Sequence, residues 1–151
     1  MITQTEALQK LMALCSQREK CTHDVREKLL QWKIDSEAQE HIITTLINEK
    51  FVDDARYATA AVKDKFRFNK WGKVKISWFL KTKNIDHVII DEALQVIPDS
   101  EYRKTLSELM KQKHNQIKDT DNYRKKAKVM RFITSRGFEY NLAMEEYQDN
   151  L

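Results

Sequence analysis

Two glycines and one proline stand among 151 residues. Sheet proteins need turn residues roughly every eight to twelve positions, so this scarcity argues against sandwiches and barrels and for helices joined by short polar turns. No apolar run approaches the roughly 18 residues that span a membrane. The opening "MITQTEALQKLMALCSQ" has no basic n-region and is interrupted by Gln9 and Lys10, which excludes a signal peptide reading. Two cysteines, Cys15 and Cys21, are too few for a disulfide framework. Cys15 extends the stripe of Leu8, Leu11 and Met12 at helical spacing and is read as a core thiol. The expectation is a cytoplasmic protein with free thiols.

Apolar residues make up 41% of the chain and charged residues 33%, enough to bury a core and too much for disorder. The net charge of +4 is unevenly spread. Residues 1–50 hold 7 basic and 8 acidic side chains, residues 51–97 hold 9 and 6, and residues 98–151 hold 11 and 9. Within residues 63–83, 8 cations face the single Asp64; residues 103–136 carry 11 against Glu108, Asp119 and Asp121. Cations gathered in two internal stretches suggest a polyanionic partner, although a charge run on a helical protein is more often a solvated face.

The chain repeats itself. "FLKTKNID" (79–86) aligns with "FITSRGFE" (132–139), and "LLQWKID" (29–35) fits the same frame with one residue deleted. Three tandem three-helix repeats follow, at residues 1–50, 51–98 and 99–151. The fold class is all-α, with about nine helices in an elongated or curved helical-repeat protein. Helical stripes support each unit. The first has Leu8/Leu11/Met12/Cys15, Val25/Leu29/Trp32 and Ile42/Ile43/Leu46/Ile47. The second has Ala58/Ala61/Val62/Phe66, Ile76/Phe79/Leu80 and Ile90/Ala93/Leu94/Ile97, with Pro98 read as the stop. The third has Tyr102/Leu106/Leu109/Met110, Tyr123/Ala127/Met130 and Leu142/Ala143/Tyr147. Asn84 and Gly137 sit where a helix would end in a left-handed residue. Thr22 is read as an N-cap followed by Asp24 in the first turn.

No catalytic constellation emerges. Asp53 and Asp54 lack converging carboxylates or histidines and are read as opening a helix near Ala55, with Arg56 in a local ion pair. Cys15, Cys21 and His23 have the wrong spacing for a zinc site, and nothing marks a base beside a nucleophilic thiol. His41, His87 and His114 stand singly. Gly72 and Gly137 form no phosphate-binding loop. The reading is of a non-enzyme that needs no cofactor or metal.

The middle unit carries a resemblance. "FVDDARYATAAV" followed by "KWGKVKISWFLKTKNID" resembles the RecX family, regulators of the RecA recombinase. The family pattern is an apolar residue, an acidic pair, Arg, an aromatic and Ala, then basic residues, Lys-x-Gly and a helix ending Leu-x-x-Lys-Gly-Ile. Here Asp53, Asp54, Arg56, Tyr57 and Ala58 match, then Lys70, Gly72, Ile76, Leu80, Lys83 and Ile85. Asn84 replaces the usual glycine, and the first unit is read as having lost that position. The resemblance is specific in residues 51–94 and looser in the third unit. It implies an all-helical, monomeric modulator that lodges in the groove of the RecA–DNA filament. Such proteins usually suppress ATP hydrolysis, strand exchange and coprotease activity.

The stretch "KFRFNKWGKVK" (65–75) is read as a structural joint with a functional rim. Phe66 belongs to the core, while Trp71 and Gly72 lie in the turn, where glycine would let the chain reverse. Phe68 is open between a staple across the turn and an exposed stacking surface. The rim is Arg67, Lys70, Lys73, Lys75, Lys81 and Lys83, with Arg124, Lys125, Lys128 and Arg131 as a second candidate contact. It could meet RecA, single- or double-stranded DNA, or both. Two rival readings are a stand-alone DNA-binding helical module and a helical adaptor for another protein. Lysine-rich "KISWFLKTK" favours phosphate contact over base readout within the first.

Overall fold

The apolar stripes fold as nine α-helices in a computed structural model that describes residues 1–151 and contains no strand. They are α1 Gln4–Gln17, α2 Thr22–Gln31, α3 Ser36–Asn48, α4 Asp54–Arg67, α5 Lys73–Thr82, α6 His87–Leu94, α7 Asp99–Gln116, α8 Asn122–Ser135 and α9 Tyr140–Asn150. Helices pack chiefly within consecutive threes: α1 and α2 on α3, α4–α6 mutually, and α7–α9 mutually.

The repeat is most legible where the second helix of each three ends. Lys33, Asn84 and Gly137 all adopt positive φ, at 58°, 55° and 95°. Immediately after them, Ile34, Ile85 and Phe138 donate back to the carbonyls of Leu29, Leu80 and Ile133, at 3.0, 3.3 and 3.3 Å. Each turn is therefore a Schellman cap with an apolar residue closing it. An acid then follows. Asp35 and Asp86 cap α3 and α6 through Ala38 and Val88 N–H groups, at 2.9 and 2.8 Å. This geometry corrects the sequence alignment: the first unit has lost nothing, since Lys33 fills the left-handed place. A lysine there is costly by shape and invisible by type.

Other expectations shift by a residue or a partner. Cys21, not Thr22, is the N-cap of α2. Pro98 stops nothing; α6 already ends at Leu94, and Pro98 is the N-cap of α7. Tyr123 is exposed, as is Ala127, and the buried face of α8 is Val129, Met130 and Ile133. Aromatic and small residues at helical spacing mimicked that stripe from one turn away.

Two cores result. One is confined to α1–α3 with Val52, and includes Leu11, Leu29, Ile42 and Leu46. Phe51 packs on it too. The larger runs without interruption through α4–α9, from Val62, Phe66 and Leu80 to Leu106, Ile133 and Ala143. Cys21, the N-cap of α2, is the one buried side chain from the first three-helix unit in the larger core.

Candidate functional site

Two joints position the basic rim, and they differ in kind. Between the second and third units, Gly72 meets Gly137. A Cβ on Gly72 would lie 2.3 Å from the Gly137 carbonyl carbon, and one on Gly137 would lie 2.3 Å from Lys75 Cβ. The only two glycines in the sequence are thus placed against one another. Gly72 has φ −76°, so it is needed for close approach rather than for chain reversal as the sequence suggested. Gly72 N–H donates to the Arg136 carbonyl at 2.7 Å and Val74 N–H to the Gly137 carbonyl at 2.9 Å. Lys73 N–H donates to the Tyr102 hydroxyl at 3.0 Å, and that hydroxyl donates to Glu139. The first-turn N–H groups of α5 are therefore spent on the third unit. Phe66, Tyr102 and Phe138 stack through the joint, with ring centroids 5.8 and 5.2 Å apart.

Between the first and second units the joint is ionic. Arg56 Nε donates to Glu19 at 2.6 Å, so its ion pair is with α1's exit and not local. Asp53 caps its own helix through Arg56 N–H, but Asp54 accepts from Thr22 N–H at 2.8 Å and so serves α2. Lys83 meets Asp24 at 2.8 Å, and Asn84 Nδ2 lies 3.0 Å from His23 Nδ1. Burial pushes the Asp24 carboxyl up, yet the Lys83 hydrogen bond and charge outweigh it and hold the group below its ordinary value. The same pair raises Lys83. Burial pushes the Cys21 thiol up to about 12, and also raises Tyr57 beside it. A cleft of about 750 Å³ opens along this joint, lined by Leu14, Asp24, Tyr57, Lys65, Phe79 and Lys83 among others.

The predicted rim separates accordingly. Lys83 is spoken for by Asp24, and Arg67 lies 3.8 Å from Glu101. Lys75 and Lys65 hold their ammonium groups 4.5 and 4.9 Å from the half-buried Trp71 ring, and Lys73 sits 4.7 Å from Tyr102. Lys70 and Lys81 are exposed, with neither a carboxylate nor a ring partner. Lys70 also takes a left-handed φ of 55°. No acidic residue occurs from 65 to 85, where seven cations stand, so the rim's only carboxylate partners come from outside the stretch, Asp24 on Lys83 and Glu101 near Arg67. In the third unit Arg124 and Lys128 both close on Asp119, at 3.1 and 3.2 Å. The Asp121 backbone N–H and then Lys128 depress that carboxyl to about 2. Of that second set, only Lys125 and Arg131 lack such a partner.

Phe66 is buried and Phe68 is exposed, which leaves Phe68 free of any stapling contact with the core. Sequence reasoning missed Trp78, which stands 64% exposed on α5 with Val74 one turn before it. The signal was there in the helical period: Val74, Trp78 and Lys81 follow i, i+4, i+7 on the face opposite Ile76 and Leu80. No group of three or more His, Cys, Asp or Glu side chains converges to hold a metal. No helix is long and apolar enough to cross a membrane.

Comparison with known proteins bears on the same module. Residues 53–94 match the family model for the second three-helix domain of RecX. The chain is 33% identical over 126 residues to the regulatory protein RecX of Clostridium acetobutylicum, covering 81% of this chain and 58% of that protein. It is 31% identical over 121 residues to the regulatory protein RecX of Clostridium beijerinckii, covering 79% and 56%. It thus spans somewhat over half the length of these curated relatives. The crystal structure of RecX from Lactobacillus salivarius superposes with a TM-score of 0.88 at 21% identity, over 97% of this chain and 95% of that one. A likeness at that identity speaks for the fold alone.

Proposed function

The chain belongs to the RecX family, and from that premise we propose that it binds the RecA–DNA filament and suppresses RecA's ATP hydrolysis, strand exchange and coprotease activity. It acts by occupying the filament, with no chemistry of its own. The observation that carries the reading is the acid-free stretch 65–85, in which Lys70 and Lys81 have no intramolecular partner and which lies inside the module matched by the family model. A filament of nucleic acid coated by protein offers a continuous polyanion, and lysines without intramolecular partners gain most by meeting phosphates, since counterion release drives that contact. Lys70 and Lys81 are the leading contacts, while Lys73 and Lys75 brace aromatic rings and Lys125 and Arg131 are secondary.

The reading is tested by following RecA's single-strand-dependent ATP hydrolysis as the protein is titrated in. Hydrolysis should fall towards a floor as the protein approaches a fixed ratio to RecA. A stand-alone DNA-binding module would instead bind oligonucleotides and leave RecA's turnover untouched at matched DNA occupancy.

A further inference from the structure

We infer that the outward face of α5, built from Val74, Trp78 and Lys81 with Lys70 before it, is a stacking platform for an unpaired base of single-stranded nucleic acid. Val74 is 55% exposed and Trp78 64% exposed, although both lie on a helix whose other face is fully buried through Ile76 and Leu80. Helical spacing puts Val74, Trp78 and Lys81 in one row. Trp78 belongs to neither core, unlike Trp71, whose ring is packed on the larger one and flanked by Lys65 and Lys75. The row lies within the acid-free stretch 65–85, and of the cations there Lys81 in the row and Lys70 in the turn before α5 have no carboxylate partner.

Charge and shape together choose the occupant. A protein-binding helix face carries a wider apolar stripe, and lysine is depleted at the centre of protein interfaces. Here one exposed indole and one exposed valine share a helical row with the unpaired Lys81, and aromatic plane plus cation is the combination that single strands use: phosphates on cations, bases on an aromatic plane. A duplex hides its base faces, so an exposed indole adds nothing to its phosphate contacts. This inference rests on the reading of the rim as a polyanion surface and adds which polyanion, and through which ring.

The first arm of the test needs no RecA. Anisotropy of a fluorescein-labelled thirty-nucleotide oligo-dT and of a duplex of equal length reports binding by the intact chain across a salt series. Trp78→Ala should weaken oligo-dT binding about tenfold or more while leaving the log–log salt slope, duplex binding and melting temperature unchanged. Trp78→Phe should restore most of the loss. Equal oligo-dT affinity in Trp78→Ala, no oligo-dT binding by the wild type, or an equal loss on duplex would each overturn the platform. If oligo-dT affinity is unchanged but Trp78→Ala loses suppression of RecA hydrolysis, the indole anchors a protein instead. Loss of RecA suppression by the wild type would sink the filament reading and leave the oligonucleotide result standing.

Discussion

At the scale of single residues, the informative positions are those where backbone geometry leaves no choice. Gly72→Ala should cost about 3 kcal/mol, because its methyl group would meet backbone atoms that no rotamer change can move. Urea denaturation measures this directly. Lys33→Gly should do the opposite and stabilise by about 1 kcal/mol, since lysine is held left-handed there at φ 58°. No shift at Lys33 would mean that the turn relaxes easily. Cys21 gives a pH signature. An unfolded thiol ionises near about pH 8.5, whereas burial keeps the folded one neutral to about 12, so its contribution is whole below the first value and is lost as pH rises towards the second. Stability should therefore decline from about pH 8.5 upwards. Cys21→Ala should flatten that decline at its onset; an identical pH profile would remove Cys21 from the account. Asn84 and Gly137 could be read from the sequence because their residue types advertise the left-handed turn. Lys33 could not, because lysine advertises nothing about φ.

At the scale of elements, α5 has two faces with separate tasks. The sequence showed its buried stripe and its lysines, and residues 53–94 were the part most open to reading because glycine, acid pair and aromatics fall at fixed spacing. What it could not show is that several of those lysines are engaged. Lys75 leans on Trp71 and its Cβ borders Gly137, so reversing its charge would disturb the joint as well as the rim. Lys70→Glu with Lys81→Glu is the cleaner variant. It should leave helix content and melting intact and lower the salt slope of nucleic-acid binding by roughly two, one per lost phosphate contact. An unchanged slope would mean that the rim is merely solvated. Trp71→Ala should act on stability instead, by about 2 kcal/mol, because the ring is only half-buried.

At the scale of the whole molecule, three similar units are joined in two dissimilar ways. The glycine joint merges the second and third units into one core, while the first keeps its own core and is tied on by Arg56–Glu19, Lys83–Asp24 and the Asp54 cap on Thr22. Periodicity could reveal three units but not which of them fuse, because that depends on contacts between residues far apart in the chain, 29 positions for Lys73 and Tyr102 and 64 for Gly72 and Arg136. We place the packing boundary of the first unit at 52/53, since Phe51 and Val52 pack with it. Arg56→Gln combined with Asp24→Asn should weaken the ionic joint by about 1 kcal/mol, splitting off a lower-melting transition in calorimetry while the main one holds. A single unchanged transition would show that the two ion pairs do not couple the cores, leaving Cys21's burial and the Asp54 cap on Thr22 to do so.

The central claim is that this helical protein restrains RecA through the acid-free basic stretch of its middle unit. The most direct measurement is the rate of ATP hydrolysis by RecA on single-stranded DNA, titrated in parallel with the wild type and with the Lys70→Glu, Lys81→Glu variant. The account predicts progressive suppression by the wild type and a suppression curve for the variant displaced at least tenfold to higher concentration at equal fold stability. Hydrolysis that is unaffected by the wild type, or suppressed equally by both proteins at every salt concentration, would contradict it.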